Sequence, residues 1–395
     1  MALRLLTGGE SHGPALVALV EGLPAGLAIS GADIDRDLAR RQLGYGRGER
    51  MKIEKDTVRL VSGVRFGRTL GSPVSLYIEN RDWENWRELM AVEGTGQRRQ
   101  EPETRPRPGH GDFAGMLKFD TRDARDVLER ASARETAARV ASGALARRLL
   151  EEVGITVVSR VVSIAGVSAE IDDFVNESSF DGVDENPLRC ADSASSKMMM
   201  EEIDRAAGDG DTVGGTFEVA SFGAPPGLGS PSQFDRRLDA RLCGTLASIP
   251  GVKGVEVGKG LGLAVVRGSE AHDEIYYEKT GGVFRRTNRA GGLEAGMTNG
   301  EPVLLRAAMK PIPTLARPLA TVDIERLEPA QAFKERADVC AVPAAAVVGE
   351  AVVALVLADA VIEKFGGDSM TELMRNHSGY LEQIKELWKP GGQPA

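Results

Sequence analysis

The sequence predicts an α+β fold, on three observations. β-rich runs group between residues 57 and 78 and again between 156 and 307. The strongest helical stretches stand apart from them, so regular βαβ alternation is absent. Forty-seven glycines and 19 prolines in 395 residues provide many turns between the runs.

Taken in order, Gly13 to Val20 and Asp33 to Arg41 read as helices, and Thr57 to Val64 and Val74 to Ile78 as strands. Ser132 to Val153 reads as a long helix, with Val140, Leu145 and Leu149 near helical spacing on an Ala-rich background. Ser132 and Glu135 form an S-x-x-E capping box that would start it, although DARDVLER could equally add a preceding turn. Thr156 to Ile164, Gly215 to Ser221, Val252 to Val257, Leu263 to Val266 and Val303 to Ala307 read as strands. Helices near Ala344 to Phe365 and Met370 to Leu387 close the chain. The segment 168–192, rich in Asp, Glu, Ser and Asn, reads as an exposed, flexible excursion.

At 42% hydrophobic and 27% charged residues, the composition is that of a folded globular chain. Length alone would allow two or three domains at about 150 residues each. The net charge of −9 argues against a wholly basic nucleic-acid surface, although local basic sites remain open. Cys190, Cys243 and Cys340 are odd in number, far apart and without C-x-x-C spacing, which fits a reducing compartment and no zinc site. MALRLLTGGESHG is no secretory signal, and Ala341 to Ile362 carries Pro343, Glu350 and Asp359, so it reads as a buried helix. A cytoplasmic, soluble protein is expected. P-loop, G-x-G-x-x-G, H-E-x-x-H and G-x-S-x-G motifs are all absent.

Polar chemistry concentrates in Gly/Pro turns. His12 lies in GGESHGP and His110 in RPRPGHGD, whereas His272 and His377 read as ordinary surface residues. Arginines crowd similar segments: Arg40, Arg41, Arg47 and Arg50, then Arg105 and Arg107, then Arg130 and Arg134. Guanidinium groups on rigid turns suit carboxylate and phosphate recognition, so the three clusters favour a polyanionic small ligand. A helix begun at Ser132 would add its own N–H groups as an anion site. MKPIPT places Lys310 before two prolines, and Asp338 follows Arg336 just before an apolar helix, where capping or ion pairing is the commoner role.

These segments, in order, resemble chorismate synthase. They are GESHGP, RRQLGYGRGERMKIEKD, RPGHGD, ERASARETAARVASGA, VKGVEVGKG, RRTNRAGGLEAGMTNGEP, MKPIPT and ERADVCAVPAA. The resemblance implies a single-domain, layered β-α-β sandwich over 1–395, with antiparallel sheets enclosing helices, usually as a homotetramer. It implies anti-1,4-elimination of phosphate from 5-enolpyruvylshikimate 3-phosphate, with reduced FMN required and no net redox change. His12 would assist the departing phosphate, His110 would sit at the flavin N1/C2 carbonyl edge, and Asp338 would help take a proton through flavin N5. Arg41, Arg47, Arg50, Arg107, Arg134 and Arg336 would clamp the substrate. Ser132, Ala133, Arg134, Gly244, Thr245, Ala295, Lys310, Pro311, Ile312, Pro313, Thr314 and Arg336 would hold FMN. Arg41 and Arg47 match positions associated with NADPH, and a separate flavin reductase is the other source of electrons. Ala131, Gly111, Ala337, Val339, Gly244, Thr245 and Ala295 depart from the commonest family pattern. An NADPH-consuming flavin oxidoreductase and an anion-binding or nucleic-acid-binding module are the competing readings.

Overall fold

The computed structural model describes residues 2–48, 55–93, 101–171, 175–278, 282–335 and 338–387. Strands β1 (Arg4–Gly8), β2 (Ala15–Glu21), β3 (Val58–Ser62) and β4 (Val74–Glu79) form an antiparallel sheet in the order β1-β2-β4-β3. A second antiparallel sheet has β5 (Thr156–Ile164), β6 (Val167–Ser168), β7 (Gly215–Phe222), β8 (Val252–Val257) and β9 (Val303–Met309), in the order β8-β9-β7-β5-β6. The principal helices are α1 (Gly31–Gln42), α2 (Asp112–Phe119), α3 (Arg125–Ala131), α4 (Thr136–Glu152), α5 (Ser193–Asp209), α6 (Leu238–Ala247), α7 (Val342–Phe365) and α8 (Met370–Leu387).

Helix α4 lies against the first sheet and α7 against the second, and the two helices pack on each other. The fold is therefore α+β, with sheets enclosing helices. One core runs from Leu16, Leu76 and Ile78 through Leu145, Leu149 and Leu357 to Phe217 and Val219. Burial of this apolar surface is the main stabilising term. Helix–helix approach is close enough to need glycine: a Cβ on Gly143 would fall 2.4 Å from that of Ala351. Helix α7 is apolar almost all round because it is enclosed on nearly every side.

A carboxylate stands in the middle of this apolar helix. Glu350 is fully buried and accepts five hydrogen bonds: two from Arg40 (2.7 and 2.9 Å), one from Arg189 (2.9 Å), one from the Ser159 hydroxyl (2.7 Å) and one from Arg147. Asp37 pairs with Arg40 at 3.3 Å and Arg147 at 3.2 Å, while Asp184 pairs with Arg40 at 3.0 Å and with Arg189. Three guanidiniums thus meet three carboxylates. Burial pushes the Glu350 carboxyl upward, but the three arginines outweigh it and hold it well below the carboxylate range. Arg189 adopts a left-handed φ of +58° at this junction, a strained backbone for a residue with a side chain.

Four expectations change. Gly13 to Val20 is not helical; its centre is strand β2, with Leu16, Ala18 and Val20 inward and Val17 and Leu19 outward. An unbroken apolar run hides its own period, and pairing with β1 and β4 on both sides decides it. Leu263 to Val266 is not a strand, because Gly260–Val265 forms a 3-10 helix after glycines in the left-handed region at 258 and 260. The capping box is only half formed. Ser132 Oγ accepts the Arg134 N–H at 3.3 Å, but Glu135 turns to Arg139 at 3.0 Å instead of returning to Ser132. DARDVLER belongs largely to the separate helix α3. Within the described part of 168–192, Val175, Phe180 and Val183 are buried against Ala220 and Leu304, so this stretch covers the outer face of the second sheet.

Candidate active site

His12 lies in the connection between β1 and β2. Its backbone N–H donates to Glu129 Oε2 at 2.9 Å, and its Nδ1 lies 2.9 Å from the same oxygen. Asn80, just past β4, ties this connection down, donating to the carbonyls of Glu10 (3.1 Å) and Gly13 (2.7 Å). The His12 ring stacks on Trp86 with centroids 3.8 Å apart. Glu129, on α3, also receives Arg125 at 2.9 Å. Burial pushes the Glu129 carboxyl upward, but the hydrogen bonds and charges of His12 and Arg125 win and lower it.

His110 is built alike. Its Nδ1 is bonded to Asp112, the first residue of α2, which Arg107 Nε also contacts at 2.9 Å. Burial raises the Asp112 carboxyl, yet the His110 and Arg107 hydrogen bonds bring it down to about 2. A carboxylate this acidic accepts from an Nδ1–H, which fixes the ring's tautomer. The 3.2 Å approach of Arg107 Nη2 to Nδ1 is then a close contact and not a hydrogen bond. Arg107 also donates to Thr314 Oγ1 (2.9 Å) and Glu335 (3.1 Å), and Glu335 lies 3.6 Å from Arg125. The two histidine groups are thus joined through Arg125 and Glu335. Beneath them Met116, Ala124, Val127, Leu128 and Phe333 form a small core of their own.

A third group surrounds Arg134. Its fork donates to Asp56 at 2.6 and 2.7 Å and to Asn80 Oδ1 at 2.8 and 3.0 Å. Arg41 donates to Thr136 Oγ1 at 3.1 Å, and its Nη1 stands 3.8 Å from Asp56 without a hydrogen-bond partner among the described residues. Burial, reinforced by Arg134 and Arg47, brings Arg41 down to about 10 despite the opposing pull of Asp56. Arg47 pairs with Asp338 at 2.8 Å, and Asp338 also accepts the Gly48 N–H at 2.7 Å. This contact needs glycine at 46, where a Cβ would lie 2.9 Å from Ile203 and 3.2 Å from Cys340 Cβ.

Lys310 donates to the Gly109 carbonyl at 2.7 Å, bringing MKPIPT onto the His110 turn, and burial lowers its ammonium pKa. Pro311 to Pro313 continue this loop, and the Ile312 carbonyl accepts from Thr212. Ser132 and Ala133 open the short 3-10 turn carrying Arg134. Gly244 and Thr245 are linked to that turn through Ser248, Arg139 and Glu135. Ala295 sits in a tight turn at φ +48°; its neighbour Gly296 packs on Ser230 and Arg237, contacts that do not bring it to either histidine. Arg50 and Arg336 lie outside the described residues.

The chorismate synthase family model matches residues 3–362. The chorismate synthase of Desulforudis audaxviator is 59% identical over 383 residues, covering 97% of this chain and 98% of that one. That of Symbiobacterium thermophilum is 56% identical over 391 residues, covering 97% and 99%. A crystal structure of chorismate synthase superposes with a TM-score of 0.77 at 40% identity, covering 98% of this chain and 99% of that one. The chain belongs to the chorismate synthase family. It is accordingly a carbon–oxygen lyase.

Sequence reasoning on this chorismate synthase chain missed the carboxylates and their companions. Asp56, Glu129 and Glu335 stand at the ends of segments that carry the resemblance but were given no role there, while Asn80, Trp86 and Arg125 lie outside those segments, and most of the six meet their partners across long sequence separations. Asp112 had the nearest signal, two residues beyond His110 in H-G-D.

Proposed function

We propose that this enzyme eliminates phosphate from 5-enolpyruvylshikimate 3-phosphate in the anti-1,4 sense to give chorismate, the last common step of aromatic amino acid biosynthesis. In that reaction the C–O bond to phosphate and one C–H bond break and a C=C bond forms, with no net redox change. The observation that carries the reading is the repeated unit of an imidazole held at Nδ1 by a buried carboxylate, once at His12 and once at His110.

His12 acts on the departing phosphate as a hydrogen-bond or proton donor, and Glu129 supports positive charge on its ring. His110, held in one tautomer by Asp112, would hold reduced FMN by its N1/C2 carbonyl edge. The residues fit an anionic planar group: among the described residues, Arg41 has a buried Nη1 lacking a hydrogen bond and a Cβ at Gly244 would meet nothing within 4 Å, and Lys310 brings a cation to the His110 turn. Ser132, Ala133, Arg134, Gly244, Thr245, Ala295, Lys310 to Thr314 and Arg336 are the proposed flavin contacts. Bound reduced FMN would supply transient electron donation to the substrate with no net redox change. Asp338, tied to Arg47, would help take up the proton lost by the substrate.

Arg107 and Arg134, with forks closed on Asp112 and Asp56, act on the substrate's carboxylates and phosphate as fixed positive charges. Arg41, Arg47, Arg50 and Arg336 complete the clamp. Arg41 and Arg47 are also the residues for NADPH if the enzyme reduces its own flavin; a separate reductase is the alternative source. We read the chain as one domain, assembled as a cytoplasmic homotetramer. Outward-facing Leu6, Val17 and Leu19 on the first sheet and three free cysteines support this.

The test is anaerobic turnover with substoichiometric reduced FMN, following phosphate and chorismate. Many turnovers per flavin are expected; product formed one-for-one with reductant would identify an oxidoreductase instead. His12→Ala and His110→Ala should each slow turnover by about 10²-fold or more with the fold intact.

A further inference from the structure

A histidine that must deliver a hydrogen bond in one direction needs its ring fixed about two axes. At His12 the bonds to Glu129 act in the ring plane, and by themselves they leave the imidazole able to rock about the Nδ1···carboxylate line. A flat group over the ring face opposes that rocking directly. Trp86 lies there, 3.8 Å away and tilted by 23°. The indole is itself anchored: its Nε1–H donates to Asp82 Oδ2 at 2.9 Å, and the Arg125 guanidinium lies 5.2 Å from its ring centroid. Arg125 also binds Glu129, so one cation braces both the in-plane and the out-of-plane partner of His12.

We propose that Trp86 is a positioning residue for His12, a flat wall that holds the imidazole plane in the orientation the departing phosphate requires. The inference rests on the role given to His12 above. It requires a plane of aromatic shape, not apolar bulk, which makes Trp86→Phe and Trp86→Leu an informative pair. Misorientation of a reacting group costs about 10- to 100-fold in rate. Trp86→Leu should therefore lower kcat by at least tenfold with KM within twofold, and Trp86→Phe should recover most of the loss.

A second readout needs no turnover. Stacking places the His12 ring protons in the shielding cone of the indole, and the chain has only four histidines to resolve. In histidine-labelled protein, His12 ring C–H resonances should lie upfield in the wild type and in Trp86→Phe, and should move to ordinary positions in Trp86→Leu. Wild-type kcat in Trp86→Leu, or equal losses in both variants, would overturn the proposal, as would His12 resonances unmoved by Trp86→Leu. Normal turnover in His12→Asn would instead remove the role of His12 itself, and the wall would then have nothing to position.

Discussion

Arginine and carboxylate side chains build two buried networks in this molecule, one around Glu350 and one around the two histidines. Around Glu350 the charges balance, both carboxylate oxygens are saturated and no member but the Ser159 hydroxyl is uncharged. In the histidine network, Arg107 and Arg125 face Asp112, Glu129 and Glu335, and two imidazole rings stand among them. The first network joins α1, α4, α7 and β5 across the helical layer. The second hangs on α2 and α3, over a small core outside the main one. The same ingredients therefore serve fold in one place and chemistry in the other, and the difference lies in whether a titratable ring is a member.

The largest expected effect is at Glu350. Glu350→Gln keeps the shape but leaves Arg40, Arg147 and Arg189 against two carboxylates, of which Asp37 is buried and Asp184 half exposed, around a position itself closed to water. A loss of about 3 to 5 kcal/mol is expected from the urea midpoint at fixed protein concentration. A loss below about 1 kcal/mol would show that water or relaxation neutralises the site, and the contrast between the networks would fail.

Arg40 and Arg41 show what could and could not be read beforehand. They are adjacent in one cluster, yet successive residues on a helix point about 100° apart. Arg40 meets Glu350, and Arg41 meets Thr136 and Asp56. Their residue type indicates anion binding, but only the packing of α1 between α4 and α7 assigns each its anion. The histidines were legible because glycines flank them. Glu129 was not, because it meets His12 across 117 residues. Most strands were legible from their β-rich runs, and β2 was not, since its outward positions are as apolar as its inward ones.

Asp112 should show an intermediate effect, confined to acid. Its carboxyl is lowered from 3.8 to about 2 in the folded protein, so the stability it contributes is full above pH 4 and is lost as pH falls toward 2. The loss should be about 2 kcal/mol, read as a falling urea midpoint between pH 4 and 2. In Asp112→Asn that part of the acid limb should flatten, and an unchanged limb would mean that other carboxyls dominate it. Turnover should fall at every pH, because His110 loses the acceptor that fixes its tautomer.

Glu335 should give the smallest change in stability. It links the histidine groups through Arg107 at 3.1 Å and Arg125 at 3.6 Å, but its side chain keeps 23% of its surface exposed, so water screens both pairs. Each arginine also retains a buried carboxylate of its own, Asp112 for Arg107 and Glu129 for Arg125. Glu335→Gln should therefore shift stability by no more than about 1 kcal/mol. A loss of several kcal/mol would mean that the histidine network is closed against water as tightly as the one around Glu350. Burial would then not be what separates the two, and the imidazoles alone would carry the distinction.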